Sequence, residues 1–220
     1  MRNKFDNDLQ ELSNNLTKMG ALCEHAISLA MQCFEIESGV TVETVKSTEM
    51  KIDGLENDIE RLCLKLLLEQ QPVAKDLRII SATLKMITDF ERIGDQSVDI
   101  AEISKYTDKV NTHIKKMADE AIKMLSNAVD AFVKHDLELA RKIIDADDAV
   151  DALFLTVRCD IINILKSETN RAENALDMLM IAKYLERIAD HAVNVSEWVI
   201  FSITGLHKGE SYDRYIGRHE

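Results

Sequence analysis

With 220 residues, 46% of them hydrophobic and 5% aromatic, a single proline and seven glycines, the chain has the composition of long uninterrupted helices around a sizeable core. Its formal charge of −12 argues against direct nucleic-acid binding and against electrostatic attachment to anionic lipid, since neutralising phosphate needs a basic surface. Metal cations or basic protein patches are the partners this balance favours.

From Leu9 to Glu37 the apolar residues recur at helical spacing, and Ser38-Gly39 reads as a stop signal. Thr41 is placed to cap a second helix running to about Gln70, with a seam of Val45, Ile52, Leu55, Ile59, Leu62 and Leu66. Gln71-Pro72 breaks it, because proline lacks the amide and disfavours helix in the residue before it. A third helix is expected from about Pro72 to Tyr106, with Met86, Phe90, Ile93 and Ile100 inward. Thr107-Asp108 opens a fourth, which ends near Lys134-His135-Asp136.

A fifth helix carries Ile143, Val150, Leu153, Val157 and Ile164 until Ser167-Glu168-Thr169-Asn170 interrupts it. Asn170 with Glu173 predicts a capping box for the sixth. That helix uses Ile181, Leu185, Ile188, Ala192, Val195 and Val199, with Trp198 read as core, and Gly205 and Gly209 end it. A polar tail from about Leu206 to Glu220 follows. The most apolar run, Met178 to Ile203, is broken by Lys183, Glu186, Arg187, Asp190, His191 and Glu197, which argues against a membrane span. No signal pattern is visible at Met1 to Asp8, so a cytoplasmic protein is expected. Cys23, Cys33, Cys63 and Cys159 show no Cys-x-x-Cys spacing and read as reduced core residues.

The two halves repeat. Glu91-Arg92-Ile93-Gly94-Asp95 returns as Glu186-Arg187-Ile188-Ala189-Asp190 at an offset of 95, which also carries Val98 onto Val193, Asp99 onto Asn194 and Glu102 onto Glu197. The earlier helices repeat at an offset of 98: Met19 meets Met117, Phe34 meets Phe132, Ile52 meets Val150 and Leu55 meets Leu153. The fold predicted is all-α: two tandem, internally duplicated three-helix bundles of long antiparallel helices. The expected boundaries are residues 1–106, 107–205 and a tail at 206–220.

Each half carries two acid-x-x-x-acid pairs. Glu91 and Asp95 recur as Glu186 and Asp190, and Glu49 and Asp53 recur as Asp147 and Asp151. With 39 acids in the chain, chance alone yields roughly seven such pairs, so one pair means little. Their recurrence in register on neighbouring helices carries the weight. Residues four apart share a helix face, and four converging carboxylates repel by several kcal/mol unless protonated, paired with arginine or bound to cations. All-oxygen donors suit Mg²⁺ or Mn²⁺, and iron where carboxylates bridge several ions. Arg92 and Arg187 are candidates for pairing with these acids or for anchoring a partner's carboxylate or phosphate. Gly94 leaves room for close approach by a neighbouring helix or ligand, and His191 carries little expectation as a ligand because its counterpart is Gln96.

The string Gln71-Pro72-Val73-Ala74-Lys75-Asp76-Leu77-Arg78 leading into Glu91-Arg92-Ile93-Gly94-Asp95, with the second copy Glu186-Arg187-Ile188-Ala189-Asp190-His191, resembles the PhoU family. The match covers nearly the whole chain apart from the tail, and departs from the family where Asn170 to Leu176 replaces the Gln-Pro connection. The resemblance implies a cytoplasmic, non-catalytic negative regulator of the phosphate-starvation response. It would act between a phosphate ABC transporter, through its PstB-like ATPase, and a PhoR-like sensor histidine kinase, with a homodimer as a compatible assembly. It also implies metal (iron, manganese, magnesium or zinc) on Glu49, Asp53, Glu91 and Asp95 and on Asp147, Asp151, Glu186 and Asp190.

Two other readings stay open at this level. One is a helical-bundle enzyme with a carboxylate-bridged di-metal centre, a class that uses Glu-x-x-His pairs; none of the six histidines here has a glutamate three residues before it. The other is an accessory regulator of a different phosphate carrier or ion transporter.

Overall fold

Six long helices make up nearly all of the described chain: α1 (Arg2–Gln32), α2 (Val42–Gln70), α3 (Ala74–Ile103), α4 (Thr112–Lys134), α5 (Leu137–Ser167) and α6 (Ala172–Thr204). The computed structural model describes residues 2–35, 37–70, 72–107, 109–167 and 169–206. The helical periodicity read from the sequence is the packing that forms. Val45, Ile52, Ile59, Leu62 and Leu66 of α2, all four inward residues of α3 and all six of α6 are buried; Leu55, Leu153, Ile164 and Trp198 lie at the core's edge. Among the described residues no helix is long and apolar enough to cross a membrane.

The fold is all-α and duplicated, and its two bundles are fused side by side around one continuous core. α2 packs on α1 and α3, and α5 packs on α4 and α6. Between those outer helices, α1, α3, α4 and α6 form a four-helix centre in which α3 against α6 is the most extensive contact. At the α1–α4 contact the α1 backbone comes close to an α4 side chain, for a Cβ placed on Gly20 would lie 2.5 Å from Val129 Cγ2.

Several predicted boundaries move, each for a local reason. α1 ends at Gln32, ahead of Glu37; the chain turns there, Ser38 Oγ donates to the Gln32 carbonyl at 2.8 Å, and Gly39 takes the left-handed φ of 66°. α4 starts at Thr112, not at Thr107. Asn111 Oδ1 accepts the Ile114 amide at 2.8 Å as its cap, while the buried Thr107 donates to Asp177 Oδ2 at 2.6 Å and ties the inter-half connection to α6. α4 closes at His135 (φ 50°), and Asp136 Oδ1 accepts the Leu139 amide at 3.0 Å to start α5. The Asn170–Glu173 capping box does not form: Thr169–Arg171 make a single 3-10 turn, and α6 begins behind Arg171 without a side-chain cap. Gly205 ends α6 at φ 76°, as predicted; Asp108, Gly209 and the tail from residue 207 lie outside the described residues.

All four cysteines are free. Cys23 and Cys63 are core residues, and burial holds the Cys23 thiol far above its ordinary range and pushes that of Cys63 up to about 12. Cys33 is half-buried, and Cys159 is a correction, since it lies exposed on the outer face of α5.

The α3–α6 crossing has the symmetry of the duplication. Asp89 Oδ1 accepts from Asn194 Nδ2 at 3.2 Å, and the counterparts of these two residues, Tyr184 and Asp99, also lie side by side, with Asp99 raising the Tyr184 hydroxyl. Between them Gln96 meets His191, its own counterpart, at 3.3 Å. As residue numbers rise along one helix they fall along the other, so α3 and α6 are antiparallel about a pseudo-two-fold axis near Gln96 and His191. His191 Nδ1 lies 2.8 Å from Asp89 Oδ1, which accounts for the histidine as a link between the halves.

Candidate metal centres

Each acid is positioned by its helix face. Ile52 of α2 is fully buried against α3, which leaves Glu49 and Asp53 half-buried at the α2–α3 seam. On α3, Ile93 and Gly94 are buried and Glu91 and Asp95 stand at the same seam. Gly94 acts as a close-approach residue: a Cβ there would sit 3.1 Å from Ile52 Cδ1 and 3.7 Å from Glu49 Cγ.

The first-half carboxylates feel one another. Burial, then the charge and hydrogen bond of Asp53, then Asp95 and Glu91, hold the Glu49 carboxyl above its ordinary range. Glu91 is raised by burial and Asp95, opposed by Arg92, and further raised by Asp53. Asp95 is raised by burial, again against Arg92, with Asp53 and Asp99 adding. Arg92 sits over the pair, its Nε 3.4 Å from Glu91 Oε2 and its Nη1 3.5 Å from Asp95 Oδ2. It is the local counter-charge the sequence suggested. An open groove beside these acids is lined by Lys46, Glu49, Met50, Asp95, Val98 and Asp99. Lys46 is committed at the rim to Glu102, 2.6 Å away.

The second half repeats the arrangement on α5 and α6 in a more open form: Asp147 and Glu186 are half-buried, Asp151 and Asp190 exposed. Burial, followed by Asp190, Asp151, Glu186 and Asp148, pushes the Asp147 carboxyl up to about 6. Asp190 is raised by burial and Glu186, against Lys183. Arg187 is exposed, near enough to Tyr184 to act on its hydroxyl. The acids of each half therefore lie within electrostatic reach of one another across an outer seam, Glu49 feeling Asp53, Asp95 and Glu91, and Asp147 feeling Asp190, Asp151 and Glu186. Among the described residues, no three acidic, histidine or cysteine side chains are gathered tightly enough to form a ready-made ligand set.

Two neighbours of the sites escaped the sequence reading. Glu56, three residues beyond Asp53, is held up by burial and by Glu91, Asp53 and Glu60, and so joins the first group as a fifth acid. Its counterpart is Phe154, and a search for repeated acids discards a position where only one copy is acidic. Lys183, which in the sequence only interrupts an apolar run, is ion-paired with Glu186.

The repulsion has a measurable sign. Asp147 titrates near 3.8 when unperturbed and about 6 in the folded chain, so the folded state holds this proton more tightly than the unfolded state. Its contribution to stability therefore falls as pH rises through that window. Asp147→Asn is expected to leave stability unchanged below pH 4 and, in cation-free protein at pH 7.5, to raise it by about 1 kcal/mol after solvent screening. Thermal unfolding of chelated wild type and variant across pH checks this, with a gap of about 3 °C expected at pH 7.5.

The family model described as "PhoU domain" matches the chain twice, over residues 16–104 and 114–199. A phosphate-specific transport system accessory protein PhoU homolog of Clostridium acetobutylicum is 34% identical over 210 residues, covering 93% of this chain and 96% of the relative. A homolog of the same description from Thermotoga maritima is 31% identical over 212 residues, covering 94% and 91%. The crystal structure of PhoU from Pseudomonas aeruginosa superposes with a TM-score of 0.85 at 27% identity, covering 92% of this chain and all of that one. That of the phosphate transport system regulatory protein PhoU from Streptococcus pneumoniae gives 0.83 at 25% identity. With matches in both halves, at the helices that carry the acids, the chain belongs to the PhoU family.

Proposed function

We propose that this protein is a cytoplasmic, non-catalytic adaptor that represses the phosphate-starvation response when phosphate is plentiful. It links a phosphate ABC transporter, through the transporter's ATPase, to a sensor histidine kinase, and its acid groups hold metal ions. The relatives' description as accessory proteins of phosphate-specific transport supports the setting. The observation that carries the metal reading is the mutual repulsion of carboxylates at both outer seams, each group offering oxygen donors only. The donor chemistry fits hard cations, and Gly94 lets the α2 acids close on those of α3.

Glu49, Asp53, Glu91 and Asp95 would hold one set of ions, and Asp147, Asp151, Glu186 and Asp190 the other. A bound ion supplies positive charge that relieves the repulsion and stiffens the seam. The chain's own part is to present an acid pair from each of two packed helices at one seam, so that closing on an ion would draw the two pairs together. The neutralised face is then able to receive an acidic or phosphorylated surface of a partner, with Arg92 and Arg187 available at its edge.

Metal content after mild purification tests the first element: wild type is expected to retain metal and the Asp95→Ala/Asp190→Ala variant to lose most of it. Equal, metal-free preparations would remove the ion-site reading. Binding of the kinase and of the transporter ATPase by loaded and chelated protein tests the adaptor reading, with at least tenfold weaker binding expected after chelation. Undiminished binding would detach the adaptor role from metal.

A further inference from the structure

The side of α5 turned away from the core is not the polar surface that an outer helix ordinarily shows. Val150, Val157 and Ile161 are buried, and on the opposite side of the same helix Asp148, Ala152, Leu155, Cys159, Ile162 and Lys166 are all exposed. Leu155 is 55% exposed and Ile162 39%. The six are spaced 4-3-4-3-4, the repeat by which one helix packs along another. The duplication supplies a comparison. At an offset of 98, α2 keeps Leu64 where α5 has Ile162, but it places Asn57 for Leu155 and Arg61 for Cys159, and Arg61 is ion-paired with Asp58. The ends of the α2 series are Met50 and Leu68, without charge, so the first half has neither the apolar centre nor the charged ends.

The charges say what fits this stripe. Its spacing reads the same in both directions, so a second copy laid along it in reverse meets it in register. Asp148 then faces Lys166, Ala152 faces Ile162 and Leu155 faces Cys159, and each pairing occurs twice. Opposite charges close both ends, and every apolar layer sets a small side chain against a large one, as interdigitating layers require. A parallel arrangement would set Asp148 against Asp148 and Lys166 against Lys166, both repulsive. We propose that the outer face of α5 is a self-docking surface, on which two copies of this chain pair their α5 helices antiparallel about a two-fold axis at the level of Val157. On one flank Thr156 and Asn163 are uncharged; on the other, the long Arg158 side chains turn outward to water. The stripe runs for about 27 Å. One helix per copy is a small contact, so association is expected in the micromolar range, and it leaves α2 and the first acid group of each copy open to other partners.

The test is sedimentation velocity of the full chain from about 1 to about 100 μM, in a chelator so that no ion contributes. Wild type is expected to pass from monomer to dimer over that range. Leu155→Arg should weaken the dimer at least tenfold, and Asn57→Arg, the same change at the equivalent position of α2, should leave it within twofold. Lys166→Glu, which sets two acids face to face at each end, should also weaken it at least tenfold. Asp148→Lys/Lys166→Glu, which swaps the two charges, should restore it to within threefold of wild type. Far-UV circular dichroism should be the same for all, since every substituted side chain is exposed. A chain that stays monomeric up to about 100 μM would overturn the proposal, and with it a second copy as the occupant of this face. So would a dimer indifferent to Leu155→Arg, whose interface would lie elsewhere. A dimer broken by Leu155→Arg and by Lys166→Glu but not restored by the charge swap would overturn the antiparallel pairing.

Discussion

Phe90→Ala is expected to lower the stability of the protein by about 3–5 kcal/mol, the range for removing a fully buried phenylalanine from a close-packed core. Phe90 is among the largest fully buried side chains, and its carbonyl accepts from Cys23 Sγ at 3.3 Å, so it is in contact with α1 as well as its own helix. It stands one residue from Glu91 and one from Asp89, between the acid seam and the inter-half seam. The cavity would therefore loosen both. Urea unfolding monitored by circular dichroism measures the loss, and the midpoint should shift without a change in slope if the denatured state is unaltered. Because both bundles share one core, one cooperative transition is expected for wild type and variant alike.

Gly20→Leu is expected to cost about 3 kcal/mol for the opposite reason. A glycine within a helix is about 1 kcal/mol less favourable than alanine, so composition alone would treat Gly20 as a weak point. The structure places it where α1 meets α4, with Val129 Cγ2 only 2.5 Å from where a Cβ would be. The obstacle is the branched end of a short, stiff side chain, which has no alternative rotamer far from the contact. A larger residue must push α1 away from α4 and so pry the halves apart. Gly54 serves as the control, since a Cβ there meets nothing within 4 Å and Gly54→Ala should not destabilise. Urea unfolding of the two variants side by side distinguishes a steric effect from one of backbone propensity.

Much of the fold could be read from the residues because periodicity and duplication are independent signals that agree here. Ile52 and Val150, or Phe90 and Leu185, are inward on both counts, and all four are buried. Helix ends were less legible, since a cap is a choice among nearby polar residues. Thr107 and Asn111 both suit a helix start, and tertiary contact decided between them by drawing Thr107 to Asp177. The capping box at Asn170 failed for a related reason: the segment closes as a 3-10 turn before α6 begins.

The eight candidate acids could be picked out from the residues, because all eight positions are repeated. The way the halves join could not. Offsets of 95 and 98 say that two copies exist, while Asp89, Gln96 and His191 look like ordinary helix-surface residues until α3 is laid against α6. Cys159 shows the limit of reading burial from residue type. It lies exposed on α5 among the described residues.

The seam through Gln96 and His191 has a consequence for how such a chain is free to change. Were the halves separate identical subunits, every substitution at their junction would occur twice, and each residue facing the axis would have to tolerate its own image. Joined in one polypeptide, the two sides are released from that requirement. Asp89 has met a histidine and an asparagine while the tyrosine at its mirror position has met an aspartate, two pairings that no self-matched dimer could carry together. Covalent linkage thus gave this junction the latitude of a heterodimer, with the second partner always present at the same ratio.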